Sequence, residues 1–131
     1  MIVRTKSRRV KTFALAIALI VTTVTFTVIA FAANAGGGKY VSSGSQDSFS
    51  FDMPVTTTGT LYMRALSYKD TGGAVTWNLY VNGKFMVSGM TDTNAGGTPI
   101  YNFPAVKGTY TVTYSGLSNY TPIDIAAAIS Y

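Results

Sequence analysis

After residue 35, apolar and polar residues alternate along the chain, and this alternation constrains the fold more than any other feature. Successive side chains of a strand point to opposite faces, so a period of two collects the apolar ones on one face. The last stretch shows it most clearly, with Ile123, Ile125, Ala127, Ile129 and Tyr131 facing one way. No helical period of 3.6 residues is present, and turn-forming residues interrupt the alternation at regular intervals. The sequence therefore predicts an all-β domain.

The alternating runs predict seven short strands. They span residues 48–53, 60–68, 74–81, 84–88, 99–103, 109–115 and 123–131. Asn82-Gly83 predicts a tight hairpin between the third and fourth strands, because a type I′ turn needs positive φ at both central residues. Seven strands with one apolar face each predict a small antiparallel two-sheet sandwich over residues 48–131, of jelly-roll or Ig-like type. A small barrel is the alternative.

Two further features concern the organisation of this domain. Residues 36–47 are small and polar, which predicts a flexible lead-in. Trp77 is the single tryptophan, and it alternates with Val75, Leu79 and Val81. That spacing favours a core anchor over a ligand platform.

The N-terminal region predicts export. Five basic residues lie within residues 1–11, and an uncharged apolar run follows over residues 13–32. Small residues in A-x-A spacing then end at Ala32 and again at Ala35, as at a signal-peptide cleavage site. Residues 1–35 therefore predict a secretory signal peptide and a secreted or cell-surface location. The run is also long enough to cross a bilayer, so an uncleaved anchor is the alternative.

The net charge of +5 comes entirely from this N-terminal region. Beyond residue 35, five Lys and Arg residues are balanced by five Asp residues. No basic stripe remains, so nucleic acid is not an expected partner. A neutral domain is also not drawn to anionic lipid, which makes a secreted toxin or bacteriocin the weakest hypothesis. Membrane contact is expected only through the N-terminal segment.

The composition argues against catalysis. The chain has no His, no Cys and no Glu, so it lacks an imidazole base, a thiolate and a disulfide. No serine has an adjacent base, and no catalytic residue is predicted. Asp92 and Asn94 place oxygen ligands at alternate positions, as calcium loops do, but the later bidentate acid is missing. Calcium is thus the one cofactor considered, and a Gly-rich polar loop explains the segment better.

Five side chains form a candidate ligand platform if the second and third predicted strands pair. They are Tyr62, Arg64, Tyr68, Asn78 and Tyr80. Aromatic faces stack on sugar rings, while Arg and Asn hydrogen-bond to hydroxyl groups. The plainer explanation is that tyrosine suits half-exposed strands. The corresponding hypothesis is a monomeric module that binds a glycan or a cell wall.

The last strand offers a candidate edge for self-association. Its outward positions are Asp124, Ala126, Ala128 and Ser130, which carry one charge and no proline. An edge without such protection invites pairing with another chain. Together with the flexible lead-in and the missing catalytic groups, this edge favours a secreted, non-enzymatic, self-associating subunit of a matrix or fibre. The glycan-binding module is the alternative.

One sequence motif bears on modification. Asn119-Tyr120-Thr121 matches the N-glycosylation sequon. Pro122 follows directly, which disfavours its use.

Overall fold

Eight β-strands make up the part of the chain that the structure describes. The computed structural model describes residues 33–69, 71–94 and 96–131. The strands are β1 (Asn34–Val41), β2 (Gln46–Met53), β3 (Thr57–Ser67), β4 (Ala74–Val81), β5 (Lys84–Asp92), β6 (Thr98–Ala105), β7 (Gly108–Ser115) and β8 (Ile123–Ser130). Within these described ranges no helix is long and apolar enough to cross a membrane. The predicted signal peptide or anchor lies, apart from residues 33–35, outside the described residues.

The strands form two four-stranded antiparallel sheets. The first sheet has the order β1-β8-β3-β6, and the second has the order β2-β7-β4-β5. The first strand thus pairs with the last, the second with the seventh, the third with the sixth and the fourth with the fifth. This nested pairing is that of a jelly roll. The predicted all-β two-sheet sandwich is confirmed.

Alternation along the strands builds the core between the two sheets. In β8, Ile123, Ile125, Ala127 and Ile129 are buried, while the residues between them are partly exposed. Trp77 is buried as predicted and lies opposite Gly89 of β5. Residues Asn34–Tyr131 form one compact unit around this core.

The Asn82-Gly83 turn joins β4 and β5 as predicted. Both residues have positive φ, 51° at Asn82 and 80° at Gly83. The Asn82 side chain also accepts a hydrogen bond from the Thr109 N–H at 3.0 Å, which ties the turn to the start of β7.

The predicted flexible lead-in over residues 36–47 is wrong, because its first half belongs to β1. Gly36 and Gly38 pair with Ala128 and Ala126 of β8. A Cβ atom added to Gly36 would lie 2.6 Å from the Ala127 carbonyl oxygen. Glycine here permits a close approach of two backbones rather than flexibility. A run of glycines carries no alternation, so the periodicity could not reveal this strand.

The extent of β1 also bears on the predicted cleavage positions. Ala35 is buried and pairs with Ile129. Cleavage after Ala35 would remove two residues of β1, whereas cleavage after Ala32 would leave the strand whole.

The Gly-rich polar loop predicted around Asp92 and Asn94 is shorter than the gap between the predicted strands 84–88 and 99–103, because β5 continues to Asp92. Thr91 and Thr93 are buried. The Thr91 hydroxyl donates to the Met63 carbonyl at 3.2 Å, and the Ser67 N–H donates to the Thr93 carbonyl at 3.0 Å. Here the chain crosses from the second sheet to the first.

Candidate functional site

The five residues of the predicted platform lie on two different sheets. Tyr62, Arg64 and Tyr68 belong to β3 and the residue after it, on the outer face of the first sheet. Asn78 and Tyr80 belong to β4 in the second sheet. The strands β3 and β4 do not pair, because the chain crosses the sandwich between them. The single five-residue platform is therefore wrong, since the outer faces of a sandwich point in opposite directions.

The first sheet instead assembles a cluster of four polar and aromatic side chains, which we call the rim cluster: Tyr40, Arg64, Tyr68 and Asp124. Tyr40 pairs with Asp124 across β1 and β8. The Tyr40 and Tyr68 rings meet edge to face, with centroids 5.9 Å apart and an interplanar angle of 64°. The Tyr68 hydroxyl donates a hydrogen bond to Asp124 Oδ2. Both rings are mostly exposed, at 57% for Tyr40 and 60% for Tyr68.

Sequence reasoning found only part of this cluster. Tyr40 lies in the segment predicted to be a flexible lead-in, and Asp124 was assigned to the candidate edge. The one signal that pointed to Tyr40 was an isolated aromatic residue after three glycines. Its position beside Asp124 depends on the pairing of the first strand with the last, which no local pattern indicates.

The charges of the rim cluster act on the Tyr68 phenol. The hydrogen bond to the Asp124 carboxylate, followed by partial desolvation, raises the pKa of Tyr68, while the Arg64 guanidinium lowers it. Tyr68 therefore stays a neutral phenol that donates a hydrogen bond to the Asp124 carboxylate throughout the physiological pH range. One carboxylate and one guanidinium leave the rim cluster without net charge.

Small residues form a floor beside the rim cluster. Gly36 and Gly38 of β1 lie opposite Ala128 and Ala126 of β8. On the other side of β8, Tyr62 pairs with Ala128 and Arg64 pairs with Ala126. Large side chains thus stand beside a strip of small ones. These small residues form a flat strip, the floor, on the outer face of the first sheet.

The predicted self-association edge is wrong, because β8 is an inner strand. Asp124, Ala126, Ala128 and Ser130 lie on β8, between β1 and β3. Their outward side chains belong to the face of the sheet and not to its edge. The real edges are β1 and β6 in the first sheet, and β2 and β5 in the second.

Two of these edges cover one another. The ammonium of Lys39 on β1 lies 2.7 Å from Asp47 Oδ1 on β2, and this ion pair closes the sandwich on one side. A Cβ atom on Gly37 would lie 3.3 Å from the Ser50 carbonyl oxygen, which shows how closely β1 and β2 approach. The Lys39 ammonium, and then the Ser48 N–H, hold the pKa of the Asp47 carboxyl below its usual value.

The β6 edge carries features that hinder pairing with another strand. Pro99 and Pro104 lie within it and lack an N–H to donate. Its register with β3 shifts between Gly59 and Leu61, and Asn102 has a positive φ of 54°. Prolines and bulges of this kind are how natural sheets protect an edge.

The β5 edge has apolar side chains and no proline. Phe85, Met86 and Met90 are 60%, 37% and 62% exposed. Its charged residues are Lys84 at the start and Asp92 at the end. Along residues 84–90, no strand of the described chain pairs with β5 on the side away from β4. A register shift between Leu79 and Tyr80 marks a bulge near Phe85 and Met86, which leaves residues 87–92 regular.

In the described part of the chain, no cluster of acidic side chains forms around the candidate calcium residues Asp92 and Asn94. Asp92 is exposed at the end of β5, and Asn94 follows in the turn. Among the described residues, which exclude Asp70, no three acidic side chains gather as metal ligands would. Calcium binding by Asp92 and Asn94 stays a prediction.

The sequon residue Asn119 is exposed in the connection between β7 and β8. Its glycosylation likewise stays a prediction.

Comparison with known proteins adds no relative to this description. No protein-family model matches the chain, and no curated protein matches it either.

Proposed function

We propose that this protein is a non-catalytic, exported subunit that associates with copies of itself through the edge of β5. The observation that carries the proposal is the exposed apolar edge of that strand, with Phe85, Met86 and Met90 beside unpaired backbone groups. A long apolar edge is a template for pairing with another strand. The basic N-terminal segment and apolar run support export, and the missing His, Cys and Glu support a non-catalytic role.

The contrast among the four edges favours β5 as the contact. The edges of β1 and β2 cover one another, and β6 has two prolines and an irregular register. Among the described strands, β5 alone combines a free side with several exposed apolar side chains and no proline. The occupant is a second copy of this chain, since the strand is complementary to itself.

Antiparallel pairing of two β5 strands about Ser88 shows this complementarity. It brings Met86 of one copy, which lies at the bulge, near Met90 of the other, so that apolar side chains meet. It also brings Lys84 near Asp92 of the second copy, so that opposite charges meet at both ends. The two second sheets would join into one eight-stranded sheet, with the same surface contributed by each copy.

The first test is the concentration dependence of the molecular mass of residues 34–131, measured by sedimentation velocity. We expect the mass to rise with protein concentration. Burying one methionine contributes about 1.5–3 kcal/mol, so Met90→Lys should weaken association about tenfold or more. Tyr101→Lys is the matched control, because Tyr101 is a large exposed side chain on the protected β6 edge.

A cysteine cross-link tests the register. The chain has no cysteine, so Ser88→Cys introduces the only thiol. Directly opposed strand residues have Cα atoms about 4.5–5.5 Å apart, a separation that a disulfide can bridge. Ser88→Cys should form a covalent dimer under mild oxidation, while Thr113→Cys, on the inner strand β7, should not. A monomer at every concentration, or an unchanged mass distribution for Met90→Lys, would contradict the proposal.

A further inference from the structure

We infer that the rim cluster and the floor beside it bind a neutral hexose unit of a polysaccharide. The site lies on the outer face of the first sheet, whereas the proposed self-association uses the edge of the second. The two proposals therefore stand or fall separately.

Two exposed aromatic rings supply the apolar contact that a sugar ring needs. Tyr40 and Tyr68 meet edge to face, so they present surfaces at different angles to one ligand. Both keep more than half of their surface exposed. The Tyr40 contact and the Asp124 hydrogen bond hold the Tyr68 ring in place, which lowers the entropy lost when a ligand stacks on it.

The polar groups fit the hydroxyls of a sugar. A carboxylate accepts about four hydrogen bonds, and Asp124 uses one of these sites for the Tyr68 hydroxyl. Arg64 has five N–H donors in a planar fork. No hydrogen bond or ion pair between described residues engages its guanidinium group. A hexose carries hydroxyls that donate to Asp124 and accept from Arg64, in a site without net charge.

The small residues of the floor leave room for the ligand. Gly38, Ala126 and Arg64 lie in one row across β1, β8 and β3, and Tyr40 and Asp124 lie in the next row on the same face. A Cβ atom on Gly38 would lie 2.8 Å from the Ile125 carbonyl oxygen. The close approach of β1 and β8 therefore keeps this position free of a side chain, and a flat sugar ring can lie against the floor.

The test is isothermal titration calorimetry of residues 34–131 with soluble polysaccharides. The probes are a mixed-linkage glucan, a galactomannan and a glucomannan, with polygalacturonate as the charged comparison. We expect at least one neutral probe to bind the protein more tightly than polygalacturonate does. Tyr68→Ala and Tyr40→Ala should each weaken that binding about tenfold. Tyr68→Phe, which keeps the ring and loses the bond to Asp124, should weaken it less.

Tyr101→Ala is the matched control, because Tyr101 is 69% exposed and lies far along the sheet on β6. Each variant is first checked for an unchanged thermal midpoint. The inference is wrong if no neutral probe binds the protein, if polygalacturonate binds it equally tightly, or if Tyr101→Ala reduces binding as much as Tyr68→Ala. Repeating the assay with Met90→Lys separates this site from self-association, because that variant should bind the neutral polysaccharide with unchanged affinity.

Discussion

At the scale of single residues, two buried tyrosines act as hydrogen-bonding bridges as well as core side chains. The Tyr110 hydroxyl both donates to the Val106 carbonyl and accepts from the Val106 N–H, each at 2.9 Å, and so fixes the turn before β7. The Tyr114 hydroxyl crosses the sandwich, donating to the Ala126 carbonyl at 2.7 Å and accepting from the Arg64 N–H at 3.1 Å. Burial raises the pKa of both phenols. Tyr114 thereby joins the second sheet to the strands that carry the floor and Arg64.

The substitution Tyr114→Phe tests this bridge. It removes the hydroxyl and leaves the Arg64 N–H and the Ala126 carbonyl without that partner. The free energy of unfolding should fall by about 1–3 kcal/mol, the cost of unsatisfied buried polar groups. Urea unfolding measures the change. Tyr101→Phe removes an exposed hydroxyl and should shift stability by less than about 0.5 kcal/mol, and equal losses for the two variants would contradict the bridge.

At the scale of elements, the edge strands of the two sheets differ in how their free sides are protected against pairing with another chain. Lys39 and Asp47 join β1 to β2, the prolines protect β6, and β5 stays open. The sequence pattern predicted an unprotected edge on β8, which is an inner strand in the structure. An edge strand and an inner strand show the same alternation of apolar and polar residues, so only the pairing order distinguishes them.

The ion pair between β1 and β2 predicts a small pH dependence of stability. The pKa of Asp47 is lower in the folded state than in the unfolded state. The pair therefore stabilises the fold above the unfolded pKa, near 4, and this contribution is lost as the pH falls through the folded pKa. Both side chains are partly exposed, so the contribution should be below about 1 kcal/mol.

A double-mutant cycle with Lys39→Met and Asp47→Asn, followed by urea unfolding, measures that contribution. The coupling should be present at pH 7, shrink in about 1 M salt and vanish near pH 2. A coupling as large at pH 2 as at pH 7 would show that the pair does not act through charge.

At the scale of the whole molecule, the jelly-roll order makes the first and last strands depend on each other. β1 covers β8 along its full length, from Asn34 opposite Ser130 to Val41 opposite Ile123. The same pairing places Tyr40 beside Asp124 and builds the floor. The stability of the sandwich and the candidate binding face thus share one cause.

Removing residues 34–41 tests this dependence. Loss of β1 exposes β8 as an edge and uncovers the buried Val41 contact, so the free energy of unfolding should fall by at least about 2 kcal/mol. The shortened chain should also aggregate, because the new edge is apolar and carries one charge. Urea unfolding and light scattering measure both effects. A chain that starts at residue 36 loses only Asn34 and Ala35 and should be intermediate, whereas an equally stable chain from residue 42 would contradict the argument.

The sequence by itself determined the local structure of this protein. Alternation fixed which faces are buried, Asn82-Gly83 fixed one hairpin, and the spacing of Trp77 placed it in the core. These features depend on neighbouring residues and on the period of a strand, so they can be read along the chain. The two-sheet sandwich follows because each amphipathic sheet must bury one face.

Only the tertiary structure decided which strands are neighbours. Pairing order joins residues more than 80 positions apart, such as Tyr40 and Asp124, and no local pattern encodes it. That order turned a glycine-rich segment into β1, moved the open edge from β8 to β5, and divided the predicted platform between two faces. The candidate sites depend on these long-range contacts, because a binding face or an open edge exists only once the sheets have assembled.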